Sequence, residues 1–414
     1  MNFFDFKNGT LHAENVALSQ IATDFNTPCY VYSKAALTAA FNNFQAGLLG
    51  TNHLICFAVK ANPNIAILNT FAKLGAGFDI VSGGELARVL ATGGDPQKIV
   101  FSGVGKTADE MRAALDAGIF CFNVESRSEL TRLNMVAGNM GKIAPVSLRV
   151  NPNVDAKTHP YISTGLKNNK FGVAFDEAIA VYEAATAMPN IAVHVVDCHI
   201  GSQITELATF IEALDLILGL VDALEAKNIH ISHVDVGGGI GITYSDETPP
   251  EFVTYAKAIL AKLNQRNVKL LFEPGRALVG NAGVLLTKVE YIKPSEAKNF
   301  AIVDAAMNDL MRPALYDAYH HIQVVTPRAG NASTYEIVGP VCESGDFLGH
   351  DRHLNLHEGD LLAIMSAGAY GMSMASNYNT RGRAAEIMVD GDACHVIRQR
   401  EKIVDLFASE RLIK

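Results

Sequence analysis

The sequence contains no run of uncharged apolar residues near the roughly 18–20 that cross a bilayer, so we expect no membrane-spanning helix. The first ten residues, MNFFDFKNGT, lack the basic region and long apolar stretch of a secretory signal. Basic residues are outnumbered, with 34 Lys and Arg against 43 Asp and Glu. The resulting net charge of −9 argues against nucleic-acid and anionic-membrane partners.

Cysteine is scarce and unpaired in the sequence. The six cysteines are scattered and form no CxxC pair. In a long chain without a secretion signal, this pattern predicts reduced thiols and a cytoplasmic protein, and we expect no metal among the site residues. About half of the residues are apolar (49%) and 19% are charged, which is typical of a globular protein.

The length and the hydrophobic pattern predict two domains. Single cores usually stop growing at about 250–300 residues, and this chain has 414. From 28 to 275, short apolar runs alternate with stretches of helical period. The runs are LICFAV (54–59), FDIVS (78–82), KIVFS (98–102), IFCFNV (119–124), PVSLRV (145–150), IAVHVVDCHI (191–200), HVDVGGG (233–239) and KLLFEPG (269–275). Eight strand–helix units predict an α/β fold, a TIM-type (β/α)8 barrel of parallel strands over 28–275.

The remaining segments predict a second, mostly antiparallel β domain built from 1–27 and 276–414. After 276, strand-like segments are separated by Pro, Gly or Asn. Near the N-terminus, Asn8-Gly9 lies between alternating segments, which indicates a hairpin. Within the barrel region, Thr248 and Pro249 suggest the start of the helix in EFVTYAKAILAKL.

Chemically useful side chains fall where the barrel strands are predicted to end. In a (β/α)8 barrel these ends form one rim, and reactive groups gather there. The residues are Lys60, Asp79, Arg149, His199, Gly237, Gly238, Gly239 and Glu273. Taken alone, Lys60 is an amine in water at a strand end. On a barrel rim, desolvation lowers the pKa of such an amine and frees it for Schiff-base chemistry.

The other rim residues each have a structural and a functional interpretation. The glycine run after 236 is either a flexible turn or a set of backbone N–H groups that approach a phosphate, which the hydroxyl of Ser202 would also reach. His199 is either a satisfied strand-end histidine or a site residue. Glu273 and Arg276 form either a surface ion pair or a buried carboxylate that needs a cation, such as a protonated pyridine nitrogen. Together, the amine, phosphate donors, imidazole and carboxylate fit pyridoxal 5'-phosphate.

Six motifs resemble those of the fold-type III pyridoxal-phosphate decarboxylases, over essentially the whole chain. They are FAVKAN (57–62), CHIGSQ (198–203), DVGGGIG (235–241), EPGR (273–276), CESGD (342–346) and GAYGMSMASNYN (368–379). The resemblance implies that Lys60 bonds covalently to the cofactor, that His199 lies against the ring, and that Glu273 pairs with the ring nitrogen. It further implies a homodimer with shared active sites, in which Cys342 donates a proton from the partner subunit.

The resemblance also assigns the binding residues. The residues expected to bind the cofactor are Lys60, Asp79, His199, Ser202, Gly237, Gly238, Gly239, Glu273, Gly275, Arg276 and Tyr370. Those expected to bind the substrate are Arg276, Arg312, Tyr316, Glu343 and Tyr370. From composition alone, Cys342 would be interpreted as a small buried hydrophobic residue.

Two observations restrict the reaction type and the substrate that the resemblance allows. Racemases of this fold type place an arginine at the ring nitrogen, so Glu273 favours decarboxylation. Arg312 and Tyr316, four residues apart, suit a substrate with a second carboxylate, and Glu343 suits its ammonium group. An arginine there would repel a substrate whose far end carries only an ammonium group. Together with the resemblance, these residues imply decarboxylation of meso-diaminopimelate to L-lysine and carbon dioxide, the last step of lysine biosynthesis.

Three alternatives remain open from the sequence. The first is a decarboxylase acting on ornithine, lysine, arginine or carboxynorspermidine. The second is a non-catalytic relative that serves as a binding partner, although Lys60 and Cys342 are both retained. The third is a barrel aldolase with a Schiff-base lysine. The sequence also leaves open whether 155–172, rich in Gly, Asn and Lys, closes over the site.

Overall fold

The computed structural model describes residues 3–413 apart from 157, 160, 161, 163, 166–168, 264 and 265. Most of these gaps fall in 155–172, so the question of a lid there lies outside the described residues. The chain divides into two compact units. The barrel unit comprises Ala40–Ile242 and Thr248–Leu278, and the β unit comprises Met1–Ala39, Thr243–Glu247 and Val279–Lys414.

The strands, in chain order, are β1 (Phe4–Lys7), β2 (Thr10–Ala13), β3 (Val16–Ala17), β4 (Cys29–Ser33), β5 (His53–Ala58), β6 (Gly77–Ile80), β7 (Ile99–Phe101), β8 (Cys121–Val124), β9 (Ala144–Asn151), β10 (Val173–Ala174), β11 (Ile191–Asp197), β12 (His233–Asp235), β13 (Lys269–Phe272), β14 (Gly283–Lys293), β15 (Asn299–Val303), β16 (Ile322–Val324), β17 (Ser333–Val338), β18 (Phe347–Leu354), β19 (Leu361–Ile364), β20 (Ala385–Asp390) and β21 (Ala393–Arg398).

The α-helices, in chain order, are α1 (Leu18–Phe25), α2 (Lys34–Ala46), α3 (Ile65–Lys73), α4 (Gly83–Ala91), α5 (Ala108–Ala117), α6 (Arg127–Asn139), α7 (Ala178–Thr186), α8 (Leu207–Glu225), α9 (Phe252–Leu263), α10 (Arg276–Val279), α11 (Arg312–Tyr316) and α12 (Ile403–Leu406). Among the helices described, none has both the length and the hydropathy needed to span a membrane.

The barrel unit contains a closed barrel of eight parallel strands, which confirms the predicted fold class. The strands run in the order β5-β6-β7-β8-β9-β11-β12-β13, and β13 pairs with β5 to close the ring. Each of the eight predicted apolar runs overlaps one of these strands. Continuous apolar runs are typical of parallel strands because both of their faces are covered.

Side-chain alternation places polar groups above an apolar floor in the barrel. Leu54, Cys56, Val100, Cys121, Val195 and Leu271 form one buried apolar cluster. In a strand, residues two apart point to the same face. Polar side chains follow four members of this cluster two positions later, as Ser102, Asn123, Asp197 and Glu273, and all four are buried. The period of two therefore delivers these groups to the end of the barrel where the strands finish.

Three helices that follow barrel strands begin with a capping residue and a glutamate three positions later. The side chains of Ser82, Thr107 and Ser126 accept from the backbone N–H of Glu85, Glu110 and Glu129, respectively, each at 3.2 Å. These caps satisfy backbone donors that the helix cannot pair internally.

The predicted start of α9 at Thr248 and Pro249 is wrong, because the helix begins at Phe252. Pro250 follows Pro249 directly, and a residue that precedes proline is disfavoured in helical conformation.

The β unit carries a sheet in the order β18-β17-β15-β14-β4-β20-β21, with β19 paired to β14 and β16. Its pairings are antiparallel except β15–β17 and β4–β20, which are parallel. The N-terminal hairpin is present as predicted, since Asn8 and Gly9 (φ 51° and 78°) join β1 to β2. Phe4 and Leu11 of this hairpin pack in one core with Val284 and Val325.

Candidate active site

Lys60 lies just beyond β5, in a short 3-10 turn over Val59–Ala61, beside a buried carboxylate. Its Nζ is 2.6 Å from Oδ2 of Asp79. The lysine side chain is 35% exposed, whereas that of Asp79 is fully buried on β6. The strands are adjacent, with Ala58 in register with Asp79. The amine is therefore held at the rim yet remains accessible to a small molecule.

Glu273 follows β13 and is also buried, with only 5% of its surface exposed. Its Oε1 receives polar contacts from β8 and from the end of β7. Asn123 Nδ2 donates to Oε1 at 3.2 Å, and the Ser102 hydroxyl lies 3.5 Å from it. On the backbone, the Glu273 N–H donates to the Gly237 carbonyl at 2.8 Å. The carboxylate is thus held by side chains from β8 and the end of β7, whereas the backbone of Glu273 is held by the turn after β12.

Two further aspartates, which were not predicted as site residues from the sequence, lie with Glu273. Carboxylate oxygens of Asp197, Asp235 and Glu273 all lie within 4.8 Å of one another. Asp197 precedes His199 by two residues, and Asp235 precedes Gly237 by two. Since residues two apart in a strand share a face, this spacing was the signal that could have identified them.

The crowding of these acids raises their pKa values. Burial, followed by the charges of Asp235, Asp79 and Asp197, raises the pKa of Glu273 well above its usual value. Burial likewise raises the pKa of Asp235 to about 7. The Lys60 amine lowers both pKa values but does not offset the burial. In the cofactor-free site, Glu273 and Asp235 therefore hold their protons to higher pH than carboxyl groups in water do.

His199 is neutral and fixed in orientation. Burial, then the cations of Arg149 and Lys60, hold its pKa well below the usual value. Nδ1 accepts from the Gly238 N–H at 3.2 Å, so the ring proton of the neutral form resides on Nε2. Arg149 reaches the site from β9, where its guanidinium lies 3.2 Å from Glu125 and donates to the His199 carbonyl at 3.4 Å.

The glycine run is required by close backbone packing. A Cβ on Gly237, Gly238 or Gly239 would lie only 2.5, 2.1 or 2.5 Å from a backbone carbonyl oxygen. Gly237 and Gly239 also have positive φ angles of 66° and 108°. The N–H groups of Gly237 and Gly238 donate to protein acceptors, Asp235 and His199. Phosphate binding by this turn stays a prediction.

Ser202 and Arg276 meet in the barrel unit. The guanidinium donates to the Ser202 hydroxyl, from Nη2 at 3.1 Å and from Nε at 3.4 Å. Arg276 is the first residue of α10 and is 5% exposed. Gly275, immediately before it, packs where a Cβ would lie 3.0 Å from that of Ala61. A buried guanidinium beside a hydroxyl is suited to an anion.

Five predicted site residues belong to the β unit, and Arg312 is the most constrained of them. It is buried at the start of α11, with Nη1 2.8 Å from Nε2 of His320. Its guanidinium lies 4.5 Å from the centroid of the Tyr244 ring. His320 Nδ1 in turn lies 2.8 Å from the Met365 carbonyl, which fixes the ring. Tyr316 is half-buried at the other end of α11.

The remaining three residues of the β unit lie in loops. Cys342 is exposed, which contradicts the interpretation of a buried small residue. Its backbone N–H donates to the side chain of Asn379 at 2.9 Å. Glu343, also exposed, accepts from the hydroxyl of Tyr378 at 3.1 Å. Tyr370 is half-buried and has a positive φ of 55°.

The barrel unit contains groups that fit pyridoxal phosphate. Lys60 offers an accessible amine to the cofactor's aldehyde. Within the described residues, three buried carboxylate oxygens have no hydrogen-bond partner, namely Oδ1 of Asp79, Oδ1 of Asp197 and Oδ2 of Asp235. Unsatisfied buried acceptors beside Glu273 suit a cationic ring nitrogen.

Comparison with known proteins agrees with this chemistry. Residues 34–280 match the family described as "Pyridoxal-dependent decarboxylase, pyridoxal binding domain". The chain is 59% identical over 415 residues to a Vibrio cholerae protein named diaminopimelate decarboxylase, and 60% identical over 413 residues to one from Pseudomonas aeruginosa. Both alignments cover 100% of each chain.

Solved structures with the same architecture include two with L-lysine. Diaminopimelate decarboxylase from Helicobacter pylori complexed with L-lysine has a TM-score of 0.92 and 44% identity, covering 95% of this chain and 99% of that chain. The enzyme from M. jannaschii in co-complex with L-lysine has a TM-score of 0.94 and 40% identity, covering 99% and 98%.

Proposed function

As the chain belongs to the pyridoxal-dependent decarboxylase family, we propose that it decarboxylates meso-diaminopimelate to L-lysine and carbon dioxide. The family's cofactor is pyridoxal 5'-phosphate. Relatives near 60% identity over the full length carry the name diaminopimelate decarboxylase, and structural relatives bind the product, L-lysine. The observation that carries the proposal is the Lys60–Asp79 pair at 2.6 Å, on a rim that also bears Glu273.

The barrel residues have complementary roles in this proposal. When bound, the cofactor withdraws the electron pair left on carbon as carbon dioxide departs. Lys60 supplies the amine for covalent attachment, and Asp79 accepts a hydrogen bond from that amine in the cofactor-free protein. Glu273 pairs with the ring nitrogen, where its negative charge is favourable. The neutral ring of His199 presents a flat face without adding a positive charge.

The proposed anion-binding residues form two sets, one for the phosphate of the cofactor and one for the distal carboxylate of the substrate. Ser202, Arg276, Gly275, the glycine run and Tyr370 are proposed for the cofactor phosphate. Arg312, with Tyr316, is proposed for the distal carboxylate of the substrate. A buried, hydrogen-bonded guanidinium loses little entropy on binding a carboxylate, since its fork is already oriented. Glu343 is proposed for the distal ammonium group.

We further propose a homodimer with shared active sites, in which Cys342 of the partner subunit donates the proton to carbon. The exposure of this thiol in the single chain supports that role, because buried cysteines are inert. All six cysteines are free, which supports action in the reducing cytoplasm.

The decisive assay is carbon dioxide release from meso-diaminopimelate, with and without added pyridoxal phosphate. We expect turnover that depends on the cofactor, and little release from ornithine, lysine or arginine. Lys60→Ala should lose both turnover and the visible absorbance of the bound cofactor. Lys142→Ala, which removes a lysine from a surface ion pair with Asp116, is the matched control. Full turnover by Lys60→Ala would refute the proposal.

A further inference from the structure

The proposed role of Glu273 requires an ionised carboxylate, whereas its surroundings favour the neutral acid, so another residue must stabilise the charge. Its proposed partner, a protonated ring nitrogen, requires an ionised carboxylate with one oxygen presented to the ring. Its surroundings favour the neutral acid, since it is buried near Asp235, Asp197 and Asp79. A carboxylate in such a place needs fixed hydrogen-bond donors to remain charged.

Asn123 on β8 supplies such a donor. Its side chain is fully buried, and Nδ2 donates to Oε1 of Glu273 at 3.2 Å. Nδ2 also lies 3.2 Å from the hydroxyl of Ser102, which in turn is 3.5 Å from the same Oε1. Two donors from adjacent strands therefore converge on one oxygen of the carboxylate, Oε1, and fix the direction in which the carboxylate points.

The orientation of the Asn123 amide is itself determined. Its Oδ1 lies 3.7 Å from the thiol of Cys121, two residues earlier on the same face of β8. Burial raises the pKa of that thiol well above its usual value, so it stays protonated and donates to this oxygen. The carbonyl end of the amide therefore faces Cys121, and the NH2 end faces Glu273.

We propose that Asn123 is a positioning residue that holds Glu273 ionised and orients its carboxylate toward the ring nitrogen of the cofactor. The inference rests on the proposed pairing of Glu273 with that nitrogen. It concerns recognition of the nitrogen specifically, so it predicts an effect on cofactor selectivity that a general packing defect would not produce.

The test compares two cofactors that differ at the ring nitrogen. Cofactor is first removed from the purified protein. The Kd is then measured for binding of pyridoxal phosphate and of its 1-deaza analogue, in which carbon replaces the ring nitrogen. We expect the wild type to favour pyridoxal phosphate. Asn123→Leu should reduce this preference by roughly tenfold, as expected for loss of one hydrogen bond to a charged group. Asn123→Ala provides the same measurement if the leucine variant does not fold.

Two further variants make the outcome unambiguous. Ser147→Ala is the matched control, since Ser147 is a buried neighbour in register with Asn123 on β9 whose hydroxyl has no partner among the described residues. Its selectivity should equal that of wild type. Glu273→Gln should abolish the preference. If Asn123→Leu weakens the binding of both cofactors equally while Glu273→Gln removes the selectivity, only the proposed role of Asn123 is refuted. If Glu273→Gln leaves selectivity unchanged, the proposed pairing fails as well.

Discussion

Replacing Asp235 by asparagine should stabilise the cofactor-free protein at alkaline pH. Asp235 is fully buried, and its Oδ2 has no hydrogen-bond partner among the described residues. Its Oδ1 accepts from the Gly237 N–H at 2.9 Å, a contact that an asparagine oxygen can keep. The substitution therefore removes a buried negative charge and preserves the hydrogen bond and the shape of the side chain.

The magnitude follows from the pKa of Asp235, which burial raises from 3.8 to about 7. The folded protein then binds more protons than the unfolded chain between these values, so stability falls as pH rises through this range. At about 1.36 kcal/mol per pKa unit, the loss reaches about 4 kcal/mol. This is an upper limit, because Asp197 and Glu273 share the same charge environment.

The assay is urea unfolding of the cofactor-free protein, followed by far-UV circular dichroism, at about pH 5 and about pH 8.5. We expect wild type to lose stability between these values and Asp235→Asn to lose less. Asp116→Asn, whose side chain is 69% exposed, should retain the wild-type pH dependence. The reasoning is refuted if Asp235→Asn is less stable than wild type at the higher pH.

Three other perturbations test separate parts of the molecule. Lys106→Met should lower the free energy of unfolding by about 3–5 kcal/mol in urea titrations, because the buried Glu129 carboxylate, 2.7 Å away, loses its cation. Thr107→Ala removes the capping box of α5 and should cost about 1 kcal/mol, measured as a lower thermal midpoint. Arg312→Met should reduce kcat/KM for diaminopimelate by roughly 10- to 100-fold and leave cofactor affinity unchanged. Arg112→Met, at an exposed arginine, is its control. If the two variants lose kcat/KM equally, carboxylate binding by Arg312 is contradicted.

The barrel was predictable because its strands carry strong local signals. Eight apolar runs, separated by helical segments, leave few topologies for parallel strands. The position of the rim was predictable for the same reason, as Lys60 follows one of these runs, and Asp79 and Glu273 lie within two others. The start of α9 was not, since the two prolines near 249 support either a first helical turn or a linker.

Sequence alone determined the fold class, the chemical types of the rim residues and the family, because these depend on periodicity and on motifs that are local along the chain. Only tertiary structure decided which groups meet. Asp197 and Asp235 are 38 positions apart, and Asn123 is 150 from Glu273, yet closure of the barrel brings them to one carboxylate. Their ionisation depends on burial and on neighbouring charges, which exist only once the strands have closed into the ring.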